Sequence, residues 1–226
     1  MGRWGKPEVE RLIVERLKPV VAPAGFRYVK KDESFVRAID GGRQTLGVAL
    51  WNYNPLFAFS LVMTVRLDAV QAIVNQFSGS PPTFHGVTTT TLTQLEFLGL
   101  PAEQGKVEFR ASSEAELVGL LPGVEALVRE RVVPFFGEYR DLAAINRGLN
   151  PAGAERVIQL PPYPDRRAFY DTTNPLYRAM VGVAVARLAS DSRWEQLVAA
   201  YRAQLAEGWD QDRQKFERLV AHLQRL

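Results

Sequence analysis

The chain of 226 residues contains no cysteine. Disulfide bonds, thiolate zinc sites, iron–sulfur clusters and cysteine nucleophiles are therefore excluded. A chain of this length buries a core large enough to fold without a disulfide or a structural metal. Because disulfides belong to oxidising compartments, the composition is consistent with a reducing one.

Histidine is scarce, with two residues in the whole sequence. His85 lies in a loop rich in proline and glycine, and His222 lies among helical positions near the C-terminus. Neither has a sequence neighbour suited to activate it or to share a metal ion with it. Residues 119–123 (GLLPG) lack the Lys-Ser/Thr ending of a phosphate-binding loop. We therefore expect no catalytic residue, no metal and no cofactor.

Long apolar runs and a large excess of one charge are absent too. The nearest candidate for a membrane span, residues 179–189, is too short and contains Arg187. Residues 1–17 have no uncharged apolar core of signal-peptide length. We therefore expect a cytoplasmic protein with no membrane association. The formal net charge of +3 is small and dispersed, which makes nucleic acid an unfavoured partner.

The N-terminal part of the sequence predicts a helix followed by antiparallel strands. Val9, Ile13 and Leu17 recur at helical spacing after Pro7, and Gly25 follows the end of this pattern. Alternating and β-branched segments come next. Strands are predicted at 26–30, 34–40, 43–51 and 56–67, with turns at Gly41-Gly42 and at residues 52–55.

The last of these strands has two unlike faces. One face carries only large apolar side chains and must be buried, whereas the other is small and half polar. The first face consists of Phe57, Phe59, Leu61, Met63 and Val65, and the second of Ala58, Ser60, Val62, Thr64 and Arg66. We interpret Asn52-Tyr53-Asn54-Pro55, which precedes the strand, mainly as a bend, because Asn side chains bond their own backbone and Pro cannot donate.

Helices dominate the rest of the sequence. We expect a helix at 69–77 capped by Asp68, strands at 86–98 and 106–111, and a helix that starts at Ser112 or Ser113 and is divided at Pro122-Gly123. A further helix is predicted from Val124 to a kink or end at Pro134, with a short one at 141–149. Three amphipathic helices follow from Pro175, and Gly182 among alanines indicates close helix packing.

The pattern predicts an α+β fold, in which an antiparallel β-sheet packs with helices and an all-helical C-terminal region follows. Residues 1–150 form the α+β domain, 151–165 a Pro-rich linker, and 166–226 a helical region that either docks on the first domain or forms its own bundle. Asp165 and Asp171 flank two arginines and a tyrosine, which is typical of a solvated connector; a lid is the alternative.

Several motifs in residues 7–150 resemble a bacterial domain family of unknown function. In that family an N-terminal helix precedes a Gly-Phe/Phe-x-Arg hairpin and an antiparallel sheet, and a late helix ends in a Pro-Phe pair. The matching segments are Gly25-Phe26 with the basic residues after it, Phe35-Val36-Arg37, the strand pair 43–67, and residues 128–136 ending in Pro134-Phe135. The family implies no catalytic residues. Some related small bacterial domains look like immunity proteins, which implies a protein-binding role.

Arginines and aromatic residues on the strands form the candidate site. Alternation places Arg37, Trp51, Tyr53 and Arg66 on one face if the sides of their strands coincide. Arg and large aromatic residues are enriched at protein interfaces, and they also stack on nucleobases. The alternative is that the C-terminal helices cover this face and the aromatics belong to the core.

Two functional hypotheses follow. The first is a non-catalytic module that binds a protein partner through the sheet face or the Pro-rich connector. The second is a small-molecule (anion) binding protein or an enzyme, with a pocket between the sheet and the C-terminal helices where Arg37 or Arg66 holds an anion.

Overall fold

A computed structural model describes residues 4–98, 107–151 and 175–226. The fold is α+β, as predicted: an antiparallel sheet is accompanied by helices, and the described C-terminal residues are helical. The strands are β1 (Arg27–Val29), β2 (Ser34–Ile39), β3 (Gly42–Tyr53), β4 (Leu56–Leu67), β5 (Thr91–Gln94) and β6 (Phe109–Ala111). Their order is β1-β2-β3-β4-β5, and β6 also pairs with β4.

The helices are α1 (Lys6–Val21), α2 (Asp68–Ser78), α3 (Glu114–Leu127), α4 (Val133–Glu138), α5 (Leu142–Leu149), α6 (Pro175–Leu188), α7 (Trp194–Gln204) and α8 (Asp210–Leu223). A π-helical segment, Val128–Val132, connects α3 to α4. Single 3-10 turns lie at Ala22–Ala24, Lys30–Asp32, Pro82–Phe84 and Leu95–Leu98.

The chain divides into two compact units, each discontinuous in sequence. The first comprises Met1–Ala38, Arg43–Met63 and Gln94–Glu138, and the second comprises Ile39–Gly42, Thr64–Thr93 and Tyr139–Leu226. The predicted linker 151–165 lies, apart from its first residue, outside the described residues. The domain boundaries placed there therefore stay a prediction.

Helix α1 forms as the sequence predicts. Val9, Ile13, Leu17 and Val21 are all buried and lie four residues apart, so they form one stripe. The stripe packs toward α3 and β1. The helix ends before Gly25, whose φ of 85° lies in the left-handed region that glycine tolerates best.

The first hairpin differs by one residue from the prediction. The turn consists of Asp40 and Gly41, and Gly42 already belongs to β3. Gly41 has the positive φ, 63°. Gly42 is needed for another reason: a Cβ there would collide with the Arg66 carbonyl group, lying 2.9 Å from its carbon. Two glycines in a row thus serve a turn and a close strand approach.

Strand β4 confirms the predicted burial of its apolar face. Phe57 is 3% exposed, and the other four large side chains of that face are fully buried. On the opposite face Ala58 and Ser60 are buried as well, whereas Val62, Thr64 and Arg66 are half-buried. The small face is therefore less open than the sequence indicated.

Three other predictions were wrong in detail. Asp68 does not cap α2, because its carboxylate accepts a hydrogen bond from Arg66 Nε at 2.6 Å. The strand expected at 86–98 is limited to β5, between 3-10 turns. Helix α3 continues through Pro122, because this proline and Gly123 lie on its exposed side while the buried stripe continues across them.

Pro134 widens its helix without ending it. A proline nitrogen cannot donate to the carbonyl four residues earlier, Glu130, and that carbonyl lies within the π-helical segment, which ends at Val132. Helix α4 then carries on through Phe135 and Phe136, both buried. The predicted start of α3 is confirmed: the Ser113 hydroxyl accepts from the Glu116 amide at 3.3 Å.

In the second unit, α6 is buried on nearly all sides and contacts α2, α5, α7 and α8. The predicted close packing at Gly182 is confirmed, since a Cβ there would lie 2.6 Å from Cζ of Tyr201. Tyr201 is fully buried, and its hydroxyl donates to Asn150 Oδ1 at 2.9 Å. Asn150 in turn donates to the Gly182 carbonyl at 3.0 Å. The glycine thus makes room for a buried polar network.

Replacing Gly182 by alanine should therefore destabilise the protein by about 1–3 kcal/mol through overpacking. Gly119→Ala in α3 is the matched control, because nothing lies within 4 Å of its added Cβ. That change should stabilise the protein by about 0.5–1 kcal/mol, as alanine favours a helix over glycine. Denaturant unfolding of both variants measures this. A Gly182→Ala variant as stable as the wild type would contradict the packing described.

The network extends to Asp191 and makes stability depend on acid, because Asn150 also donates to Asn146 Oδ1 at 2.8 Å. Arg193 donates to Asp191 at 2.7 Å and Asn146 donates to it at 2.7 Å, and these hydrogen bonds hold the pKa of the Asp191 carboxyl well below its usual range. The stabilisation is fully present above the ordinary pKa of about 4 and is lost as pH falls below it. In melts from pH 7 to 2.5, the stability advantage of the wild type over Asp191→Asn should shrink with acid. An advantage that does not change with pH would refute this.

Candidate functional site

Arg37 is half-buried in the first unit, where it bonds to other parts of the chain. Its guanidinium group donates to Gln44 Oε1 at 2.8 Å, to the Ala24 carbonyl at 2.8 Å and to the Phe136 carbonyl at 3.0 Å. It also lies 4.8 Å from the centre of the Phe26 ring. Gln44 is fully buried and donates to the same Phe136 carbonyl. Arg37 thus joins β2 to the turn after α1 and to α4.

The bond to Gln44 also decides which face of the sheet Arg37 occupies. Side chains alternate along β3, so Gln44 and Leu46 share the buried face. Trp51 and Tyr53 are odd-numbered on the same strand and must point to the opposite face. The expectation that Arg37 shares a face with these aromatics is therefore not met.

Arg66 belongs to the second unit and is 12% exposed. It donates to Asp68 at 2.6 Å, to the His85 carbonyl at 2.8 Å, and to the carbonyl and hydroxyl of Thr88 at 2.6 and 2.9 Å. These bonds fix the loop before β5. Like Arg37, Arg66 uses its guanidinium donors in hydrogen bonds within the chain. This argues against the anion pocket that was the second hypothesis for these two arginines.

Trp51 and Tyr53 are exposed to solvent. Trp51 is 38% exposed and Tyr53 is 61% exposed. They lie two residues apart on β3 and so project from the same face. These aromatic side chains are therefore too exposed to be core residues, as the alternative interpretation had them.

The turn that follows Tyr53 is closed by a side-chain hydrogen bond. Asn52 Oδ1 accepts from the Asn54 amide at 3.0 Å, as the sequence indicated, and Asn54-Pro55 forms the two-residue turn. Counting outward from this turn pairs Trp51 with Ala58. The same count pairs Gly47 with Val62, and a Cβ on Gly47 would indeed lie 3.9 Å from the Val62 carbonyl oxygen.

Strand β6 brings an arginine to this face from the other side of β4. Ala58 pairs with Arg110, and directly opposed residues project to the same side. A row across three strands therefore reads Trp51, Ala58, Arg110, with a fully buried alanine in the middle. Arg110 is 58% exposed and contacts Glu108 at 3.3 Å. We call Trp51, Tyr53 and Arg110 the aromatic–arginine patch.

Arg110 was not among the predicted site residues. The strand that carries it was predicted, at 106–111. The missing information was the neighbour of that strand, because pairing between β4 and β6 joins residues about fifty positions apart. A strand of three residues carries no local signal for its partner.

The histidines have ordinary surroundings. His85 Nε2 lies 2.9 Å from the Ser80 carbonyl, and the His222 ring lies 5.3 Å from that of Phe77. In the described part of the chain, no three His, Asp or Glu side chains come close enough to hold a metal ion. Within the same ranges no helix has the length and apolar character needed to cross a membrane. Asp165 and Asp171 lie outside the described residues.

Comparison with protein-family models, curated proteins and solved structures finds no match to this chain.

Arg37 and Arg110 should respond differently to truncation. Arg37→Ala removes the hydrogen bonds to Gln44 Oε1 and to the Ala24 and Phe136 carbonyls, and it should cost about 2–3 kcal/mol of unfolding free energy. Arg110→Ala removes an exposed side chain and should change stability by no more than about 0.5 kcal/mol. Urea unfolding compares the two. Equal losses would show that Arg37 is not the structural residue described here.

Proposed function

We propose that the chain is a non-catalytic protein-binding module and that the aromatic–arginine patch is its contact surface. The observation that carries the proposal is the exposure of Trp51 and Tyr53 on one face of a regular strand, with Arg110 exposed in the same face. Tryptophan, tyrosine and arginine are the residue types that most often dominate binding energy at protein interfaces.

The patch is suited to binding because its parts are held in place. Both aromatic residues stand on a twelve-residue strand next to a turn closed by Asn52. A segment that is already part of a strand does not have to order its backbone on binding. Ala58, on the middle strand, is small and buried. The side chains of Trp51 and Arg110 on the two flanking strands therefore project further from the sheet than the residue between them. The patch therefore favours a partner with an apolar recess for the rings and a carboxylate for Arg110.

The resemblance of residues 7–150 to a bacterial domain family supports the same role. Relatives that look like immunity proteins act by binding another protein, and no catalytic residue is implied. A cytoplasmic location belongs to the same proposal. The guanidinium groups of Arg37 and Arg66 are bonded within the chain, which favours a protein-binding role over an anion-binding one.

Capture from the host lysate followed by titration with the purified partner tests the proposal. Trp51→Ala and Tyr53→Ala should each weaken binding of the partner by about 2 kcal/mol, which raises the dissociation constant roughly thirtyfold. Phe84→Ala is the control, because Phe84 is also exposed, at 57%, but lies in the second unit. It should bind as the wild type does.

Two results would count against the proposal. One is a partner that binds the Trp51→Ala and Tyr53→Ala variants as tightly as the wild type. The other is the recovery of nucleic acid alone, bound with a steep dependence on salt, since that would assign the aromatic rings to base stacking.

A further inference from the structure

Part of β3 has an edge with no partner strand among the described residues. The strand has twelve residues, whereas its neighbour β2 has six. Counting outward from the Asp40-Gly41 turn, the first residue of β2, Ser34, pairs with Gly47, and residues 30–33 connect β2 there to β1. Residues 49–53 therefore pair with β4 on one side and have no described strand on the other.

Two residues of this segment direct their backbone groups to the open edge. In an antiparallel ladder, every second residue directs its N–H and C=O to the same neighbour. The odd-numbered residues face β4, since the Gly41 carbonyl accepts from the amide of Asp68, directly after β4, at 2.8 Å. Leu50 and Asn52 therefore direct their groups away from β4. Neither has a backbone hydrogen bond to a turn or loop in the part of the chain described.

The side chains along this edge do not protect it against pairing. Exposed edges in monomeric proteins usually carry charges or prolines, or are very short. Residues 49–53, ALWNY, contain no charge and no proline. Trp51 and Tyr53 project to the outer face of the sheet and are exposed, and Leu50 projects to the inner face and is half-buried. An extended chain laid along the edge would cover all three.

The outer strand beyond β2 is protected, by contrast. β1 has three residues and includes the exposed Arg27. The exposed Lys30 and Lys31 follow it directly. Short strands and basic side chains are the means by which natural sheets prevent further pairing. The open segment of β3 is therefore better suited than β1 to accept another strand.

We propose that the partner of this module supplies an extended segment, which adds to the edge of β3 as a further strand. The inference rests on the proposed protein-binding function and specifies the form that the partner takes. The N–H and C=O groups of Leu50 and Asn52 would bond to the added backbone. In this mode of recognition, main-chain hydrogen bonds supply affinity and the alternating side chains supply specificity.

The neighbours on β3 determine which side chains the added strand can carry. A residue directly opposite another projects to the same face, so the residue opposite Trp51 lies beside the indole ring. A β-branched or aromatic side chain pairs favourably with an aromatic ring across strands. The residue opposite Leu50 projects to the inner face, where an apolar side chain would complete the burial of this leucine. We therefore expect an apolar segment of about five residues without central charge or proline.

Amide hydrogen exchange of the full chain, followed by NMR, tests whether the edge is open. The amides of Ala49 and Trp51 bond to β4 and should exchange slowly. Those of Leu50 and Asn52 should exchange at least about tenfold faster in the protein alone. Slow exchange at Leu50 and Asn52 would show that another part of the chain, or a second copy, already covers the edge, and would overturn the proposal.

Selection of random peptides displayed on phage against the immobilised full chain tests the occupant. Enriched peptides should be apolar and extended, and the synthetic peptides should slow exchange at Leu50 and Asn52. Asn52→Pro removes an outward N–H and leaves the β4 bonds intact, so it should weaken these peptides at least about tenfold in calorimetric titrations. Asn52→Ala is the matched control, because it loses the same side chain and keeps the N–H. It should bind as the wild type does.

Two results of the selection would reject strand addition. One is the enrichment of no peptide of this kind, and the other is a set of peptides that binds Asn52→Pro and Asn52→Ala equally well. The proposed function fails separately from this inference. A captured partner that is weakened by Trp51→Ala and unaffected by Asn52→Pro would contact the aromatic–arginine patch without adding a strand.

Discussion

The buried face of β4 is the constraint on which the rest of the first unit depends. Its large apolar side chains have to leave water, and the alternation of the strand then fixes every other side chain in it. A shift of one residue would turn Phe59 away from the core face and put Ala58 or Ser60 there in its place. Because β3 pairs with β4 through a two-residue turn, the same constraint determines that Gln44 faces inward and Trp51 outward.

Arg37 shows how a charged residue is accommodated on the inner face. A guanidinium group has five donors, and here they are used on an amide and two backbone carbonyls near the end of α1 and in α4. Those carbonyls lie near helix ends, where backbone acceptors lack partners within the helix. The arginine therefore stabilises the junction of three elements. A residue with this many internal bonds is poorly suited to meet a ligand.

The sequence was informative where a pattern is local. The stripe of α1, the inner face of β4, the Ser113 cap and the packing at Gly182 each follow from spacing over a few residues. It was uninformative where the outcome depends on distant pairing. Pairing of β6 with β4 puts Arg110 on the same face as Trp51, and the bond to Gln44 puts Arg37 on the opposite face. Neither fact is encoded within a single strand, since both depend on register between strands.

The sheet of the first unit presents Trp51 and Tyr53 to solvent, while Phe57 and Phe59 face the core. Hydroxyl-radical footprinting of dilute protein, normalised residue by residue to the unfolded chain, measures this directly. We expect Trp51 and Tyr53 to be oxidised readily, as the exposed Phe84 is, with Phe57 and Phe59 protected. Protection of Trp51 and Tyr53 to the level of Phe59 would contradict the account.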